Sequence, residues 1–164
     1  SATPLDALKY IITARATIMG ESNGKMKSIG TFLFSDCVRL ASITVAEDNE
    51  TYHSDGNCLI RTKTQEIVAG CKNSVIPTDG SVKKIGYGAF YGCSDMTAID
   101  IPEGVTTIGY SAFTGCSGLT EINLPDSVKV IDQYAFEECD GLIITGPTGT
   151  NVNDVAVALL RETE

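Results

Sequence analysis

Apolar and polar positions recur in the same order three times between Val82 and Cys139. Lys84-Ile85-Gly86-Tyr87-Gly88-Ala89-Phe90-Tyr91-Gly92-Cys93 returns as Thr107-Ile108-Gly109-Tyr110-Ser111-Ala112-Phe113-Thr114-Gly115-Cys116. It returns again as Val130-Ile131-Asp132-Gln133-Tyr134-Ala135-Phe136-Glu137-Glu138-Cys139. The isoleucines stand 23 residues apart (108 − 85 and 131 − 108). A fixed period of that length marks a fold in which one short unit stacks on the next.

A second pattern, L-x-x-I-x-V, also occurs three times: Leu40, Ile43 and Val45; Met96, Ile99 and Ile101; Leu119, Ile122 and Leu124. Its last two apolar positions lie two apart, so a strand points both to one side, the interior. The residues between them then face outward. This predicts short parallel strands with Ser42, Thr44, Ala98, Asp100, Glu121 and Asn123 in a row on their open, concave face. The prolines of Ile101-Pro102 and Leu124-Pro125 suit a strand that has just ended.

The other half of the unit, Ala-Phe-x-x-Cys, supplies a ring, a small residue and a thiol to the interior. One coil cannot enclose a phenylalanine, so stability resides in the stacking, at about 2 kcal/mol for each buried ring. Gly30, Gly86 and Gly109 after each isoleucine predict a turn at positive φ, with Asp132 in the matching place. Cys37, Cys93, Cys116 and Cys139 occupy equivalent positions and are expected as buried, unreactive thiols.

A worn copy, Ile29-Gly30-Thr31-Phe32-Leu33-Phe34-Ser35-Asp36-Cys37, opens the repeats, which run over 26–147. Ile29 to Ile85 spans 56 residues, two periods of 23 plus 10, so an island at 48–80 interrupts them. Within it, 57–62 and 65–69 read as a β-hairpin turning at Thr62-Lys63-Thr64, with turn-like segments at 47–50 and 54–57. Ser74-Val75-Ile76-Pro77 then returns to the repeat's strand-then-proline ending. The N-terminal cap, 1–25, reads as a helix with Leu5, Leu8, Ile12 and Ala16 on one face, the reading preferred, or as a hairpin of 10–13 and 16–19. The C-terminal cap, 148–164, reads as a helix over 154–161 with Val155, Ala158 and Leu159 on one face.

A total of 164 residues, 43% apolar, fits one folded domain. The formal charge of −9 repels phosphate backbones and anionic membranes, so nucleic acid is not an expected partner. No apolar run reaches bilayer-spanning length, and no direct membrane insertion is expected. The N-terminus lacks the layout of a signal peptide, so a signal or anchor for export is expected outside these residues.

The unit I-G-x-x-A-F-x-G-C-x-x-L-x-x-I-x-L-P-x-x-V resembles the leucine-rich repeats of the BspA-like family of bacterial surface proteins. The resemblance covers roughly Met26 to Pro147, and the stretch Asp48 to Ile60 and the Gly-rich turn before the terminal helix resemble features common in that family. It implies secreted or cell-surface proteins, linked in places to adhesion, and no catalytic residues. The expected architecture is therefore a single domain over 1–164, an α/β-type leucine-rich repeat solenoid. It would form a right-handed superhelix, with parallel strands on the concave face, a β-hairpin island and terminal caps.

Other candidate chemistry is sparse. A disulfide between Cys58 and Cys71 is conceivable, both lying in the island outside the repeated position. His53, the one histidine, has Cys58 near it but no orienting third group, and reads as an exposed loop residue. The acidic loop 47–55 lacks the alternating-oxygen spacing of a calcium loop. Tyr87, Tyr91, Tyr110 and Tyr134 could stack on sugars, although packing on the convex side is the preferred reading. No cofactor, metal or enzymatic activity is expected. The expected function is a non-enzymatic module that binds a protein, of host or microbial extracellular origin, weakly and in a salt-sensitive way. A structural spacer within a longer surface protein, or carbohydrate binding through the tyrosines, are the alternatives.

Overall fold

The computed structural model describes residues 14–18 and 30–146. The described strands, in chain order, are β1 (Ala14–Ile18), β2 (Leu40–Val45), β3 (Tyr52–Asp55), β4 (Cys58–Arg61), β5 (Glu66–Ala69), β6 (Lys84–Ile85), β7 (Thr107–Ile108), β8 (Glu121–Asn123), β9 (Val130–Ile131) and β10 (Ile143–Thr145). Among the described residues there is no helix, and so none long and apolar enough to cross a membrane.

The largest sheet has the order β3-β4-β5-β6-β7-β9. Its parallel half is the repeat itself: Ile67, Ile85, Ile108 and Ile131 lie side by side. Hydrogen bonds run both ways along the stack. The amide of Gly109 donates to Ile85 O at 2.8 Å and that of Asp132 to Ile108 O at 2.9 Å. In the other direction, Phe90 N donates to Ala112 O and Phe113 N to Ala135 O, each at 2.8 Å. The phenylalanines between them stack in register, Phe90 on Phe113 at 5.0 Å and Phe113 on Phe136 at 5.5 Å, all three buried in one apolar core.

Gly86 and Gly109 serve close approach rather than positive φ. A Cβ on Gly86 would sit 2.6 Å from Ile67 O, and one on Gly109 2.9 Å from Ile85 O. Positive φ falls two residues later, at Gly88, Ser111 and Tyr134 (60°, 52° and 59°), with Phe32 at 56° in the first copy. It falls again at Gly92, Gly115 and Glu138 (70°, 74° and 55°), with Asp36 at 57°. The first and last copies therefore hold bulky side chains in a conformation that glycine adopts freely.

Part of the island is a repeat in disguise. Ser74 N donates to Cys71 O at 3.0 Å, as Met96 N does to Cys93 O and Leu119 N to Cys116 O, both at 2.9 Å. Gly70 N bonds Ala89 O at 2.8 Å, the bond that Phe90 N makes to Ala112 O. Residues 67–74 are thus a shortened coil, with Gly70 in the phenylalanine position, where any Cβ would fall within the Phe90 ring. Cys71 consequently occupies the repeated cysteine position, against the expectation that it lies outside it.

The hairpin at 57–62 and 65–69 is present as β4 and β5, and β3 extends it to a three-stranded antiparallel meander. The turn expected at 54–57 thus begins only after Asp55, and His53 and Ser54 belong to a strand. Asn49 Oδ1 accepts the amides of Thr51 and Tyr52 and starts β3 as Tyr52 enters a second apolar cluster with Leu40, Ile43 and Leu59.

The L-x-x-I-x-V strands do not form one continuous parallel sheet. β2 pairs in parallel with β1 (Ser42↔Arg15, Thr44↔Thr17) and β8 with β10 (Glu121↔Ile143, Asn123↔Thr145), while 96–101 is assigned to no strand. On the side of the shortened coil, Val75 N is spent on Gly56 O at 2.7 Å and Ser74 Oγ on Asn57 O at 2.7 Å, so these two groups bond the meander and not 98–100. The helix preferred for the N-terminal segment is displaced where the two overlap, since 14–18 is a strand. Its remainder, and the helix expected over 154–161, lie outside the described residues.

Candidate interaction surface

The alternation of the L-x-x-I-x-V segments positions the predicted surface residues. Ile43, Ile99 and Ile122 are buried, while Thr44, Ala98, Asp100, Glu121 and Asn123 are exposed and Ser42 is half-buried. The structure divides these six among three places. Ser42 and Thr44 lie on the β1–β2 pair, Glu121 and Asn123 on the β8–β10 pair, and Ala98 and Asp100 on the second pattern copy, 96–101, which is assigned to no strand.

Beside that stretch is a feature the pattern did not indicate, a shallow depression of about 230 Å³. Val75, Ile76 and Pro102 give it apolar lining, with Ser74, Ala98 and Asp100 around them. Val75, at 68% exposure, is the most exposed large hydrophobic side chain described. Its one sequence signal was the early return of Ser74-Val75-Ile76-Pro77, which only the shortened coil explains.

The thiols are structural. Cys116 Sγ donates to Phe90 O at 3.2 Å and Cys139 Sγ to Phe113 O at 3.1 Å, each reaching back to the preceding coil. Burial pushes the Cys58 and Cys93 thiols up to about 12. Cys58 and Cys71 are both buried free thiols, and no disulfide joins them. Cys37 departs from the expected buried ladder and is exposed.

His53 Nδ1 lies 2.8 Å from Thr62 Oγ1, in the turn that follows β4, so the ring's hydrogen-bond partner is Thr62 and not Cys58. Among the described residues, no three His, Cys, Asp or Glu side chains come together as a metal site.

The tyrosines form a row of touching rings. Tyr87 and Tyr110 stack at 5.0 Å with their planes 6° apart, and Tyr134 meets Tyr110 at 5.3 Å, edge to face. Phe32 closes the other end, 4.9 Å from both Tyr87 and Tyr91. Tyr87 and Tyr134 remain more than two-fifths exposed. Partial burial first, then Tyr87, Tyr134 and Glu137, push the Tyr110 phenol up. The convex packing preferred on sequence accounts for the ring contacts and not for this exposure.

The BspA-type leucine-rich repeat region matches the chain in six copies over residues 64–153. The chain belongs to that family. The match begins inside the island, consistent with the repeat character of 67–74, and leaves the worn first copy outside. The pneumococcal vaccine antigen PcpA is similar in structure, with a TM-score of 0.61 and 22% identity over 80% of this chain. A leucine-rich repeat protein of Bacteroides ovatus gives a TM-score of 0.49 and 25% identity over 80% of this chain. A leucine rich cell surface protein of Faecalibacterium prausnitzii gives 0.38 and 25% over 88%. The chain spans 35%, 33% and 50% of these three proteins. No curated protein matches it.

Proposed function

We propose that the chain is a non-enzymatic, protein-binding module of a secreted or cell-surface protein, acting through the face that carries Ser42, Thr44, Ala98, Asp100, Glu121 and Asn123. The observation that carries this reading is the depression between the shortened coil and 98–102. There the apolar Val75 and Pro102 stand open beside the carboxylate of Asp100. An apolar floor with an acidic rim suits a partner side chain that is both long and basic. The 23-residue hydrogen-bond register supports a solenoid, which we take to be a right-handed superhelix with this face on its concave side.

The extracellular setting rests on family membership and on the likeness in fold to a bacterial antigen. A structural spacer is the second reading, favoured by the chain spanning only about a third of PcpA.

An array of host and microbial extracellular proteins, probed at low and at physiological salt, tests the binding reading. A captured partner should bind roughly tenfold more weakly to the Asp100→Lys plus Glu121→Lys variant and lose affinity as salt rises. Capture that survives both changes, or that needs only the meander 52–69, places recognition elsewhere. No capture at either salt favours the spacer.

A further inference from the structure

The ring row on the Ala-Phe side of the coils differs from the rest of the surface in two independent respects. First, bulky residues are held where glycine would be at ease. Phe32 and Tyr134 sit at φ 56° and 59° in the column that Gly88 and Ser111 also occupy. The Phe32 ring folds over Gly88, reaching 2.5 Å from where a Cβ would stand, and so lies against Tyr87 and Tyr91. Both ends of the row thus keep an aromatic side chain in a conformation unfavourable for it.

Second, the turns that carry the rings hold acids as their only charged residues. The four turns 30–38, 86–94, 109–117 and 132–140 contain five carboxylates, Asp36, Asp132, Glu137, Glu138 and Asp140, and no lysine, arginine or histidine. Asp36 and Glu138 occupy the neighbouring positive-φ column, Asp36 lying over Gly92 and Glu138 reaching toward Gly115. Carboxylates therefore stand on the first and last coils of the ring row, four residues after the aromatic residue at each end.

The geometry points to this aromatic, acidic strip as a second interaction surface, one that takes an arginine-bearing extended segment of a partner protein. A guanidinium is planar, stacks against aromatic rings and donates to carboxylates in one contact, which matches tyrosines flanked by acids. Sugar stacking fits less well, because a neutral sugar leaves the carboxylates of Asp36 and Glu138 without a cation. This surface is separate from the one around Asp100 and does not depend on it.

A fluorescein-labelled alternating Arg-Gly peptide, read by anisotropy against the whole chain, tests the inference. Saturable binding is expected, weakened roughly tenfold by Tyr110→Ala and by Tyr134→Gly, and weaker for the Lys-Gly counterpart. Tyr134→Gly relieves the backbone at φ 59°, so its melting temperature should hold, and a loss of binding there is not a loss of fold. Binding that both tyrosine variants retain overturns the proposal, as does an absence of saturable binding. Loss only in the Asp100→Lys plus Glu121→Lys variant assigns the peptide to the other face. A glycan array signal abolished by the tyrosine variants, with no peptide binding, replaces the protein partner by a sugar.

Discussion

Along the Ile-Gly and Ala-Phe side, every coil from 67 onward exchanges backbone hydrogen bonds with its neighbour, and the three core rings stack within 5.5 Å of the next. Along the Leu-x-x-Ile side the pairing is interrupted, because 96–101 joins no strand and β2 and β8 find partners in separate small sheets. The difference explains where the sequence repeats and where it varies. Backbones that meet at every step tolerate one set of side chains, so Ile, Gly, Ala and Phe recur. Where 96–101 makes no strand pairing and the contact is through buried Ile99, Ile122 and their neighbours, the outward positions are free to differ.

The sharpest way to break the coupled side is Phe113→Ala. Phe113 is fully buried and stacks with rings above and below it, so the substitution leaves a hole in the middle of the core. A loss of about 3–5 kcal/mol is expected, read as a lower midpoint in urea. Asp100→Lys on the loose side should change stability by no more than about 0.5 kcal/mol. If the two variants unfold alike, the contrast between the sides is wrong.

Gly109→Ala attacks the backbone rather than the rings. The added methyl would meet Ile85 O at 2.9 Å, and since this oxygen accepts the Gly109 amide, the two coils must separate to admit it. About 1–3 kcal/mol should be lost. Gly30 stands in the same place in the worn copy with none of the described residues within 4 Å, so Gly30→Ala serves as the control and should be nearly silent.

The same contrast decides what was legible beforehand. The period, the inward Ile and Phe positions and the outward row at 98, 100, 121 and 123 could be read because each depends on side-chain chemistry repeated at fixed spacing. The shortened coil could not: Ile67-Val68-Ala69-Gly70-Cys71 carries glycine where the pattern needs phenylalanine, and only the bonds of Gly70 and Ser74 disclose its register. The depression beside Asp100 was hidden with it, since 74–76 of that coil line one of its walls. The positive-φ columns were misplaced for a different reason. Gly86 and Gly109 signalled a backbone constraint, but a glycine required by a neighbouring carbonyl looks the same in sequence as one required by its own φ.

Titration separates the buried thiols from the exposed one. A cysteine unfolds to an ordinary value near 9.0, whereas burial holds Cys58 and Cys93 near 12. The folded state thus keeps its protons longer, and the stability tied to them is intact below pH 9 and lost as pH rises from 9 toward 12. The fall should be on the order of 1 kcal/mol per pH unit for each thiol, and Cys93→Ala should make it shallower. At pH 8 in native buffer, a thiol reagent should label Cys37 quickly and the five buried cysteines only on unfolding. Rapid labelling of Cys116 would show that its coil opens far more readily than the hydrogen bond to Phe90 O implies.

The smallest effect has the most discriminating sign. Ser111 and Gly88 share one column at φ 52° and 60°, yet their surroundings differ. At Gly88 the Phe32 ring fills the space a side chain would need, so Gly88→Ala adds a clash to an unfavourable φ and must destabilise. At Ser111 the space already holds a side chain, buried to 5% exposure, and the remaining penalty is the backbone's own. A left-handed conformation costs a non-glycine residue about 1–2 kcal/mol, against the 0.5–1 kcal/mol that glycine loses in unfolded-chain entropy. Ser111→Gly should therefore raise stability by roughly 0.5 kcal/mol. A decrease would mean that the Ser111 side chain contributes more to holding Tyr110 and Tyr134 together than its strained backbone takes away.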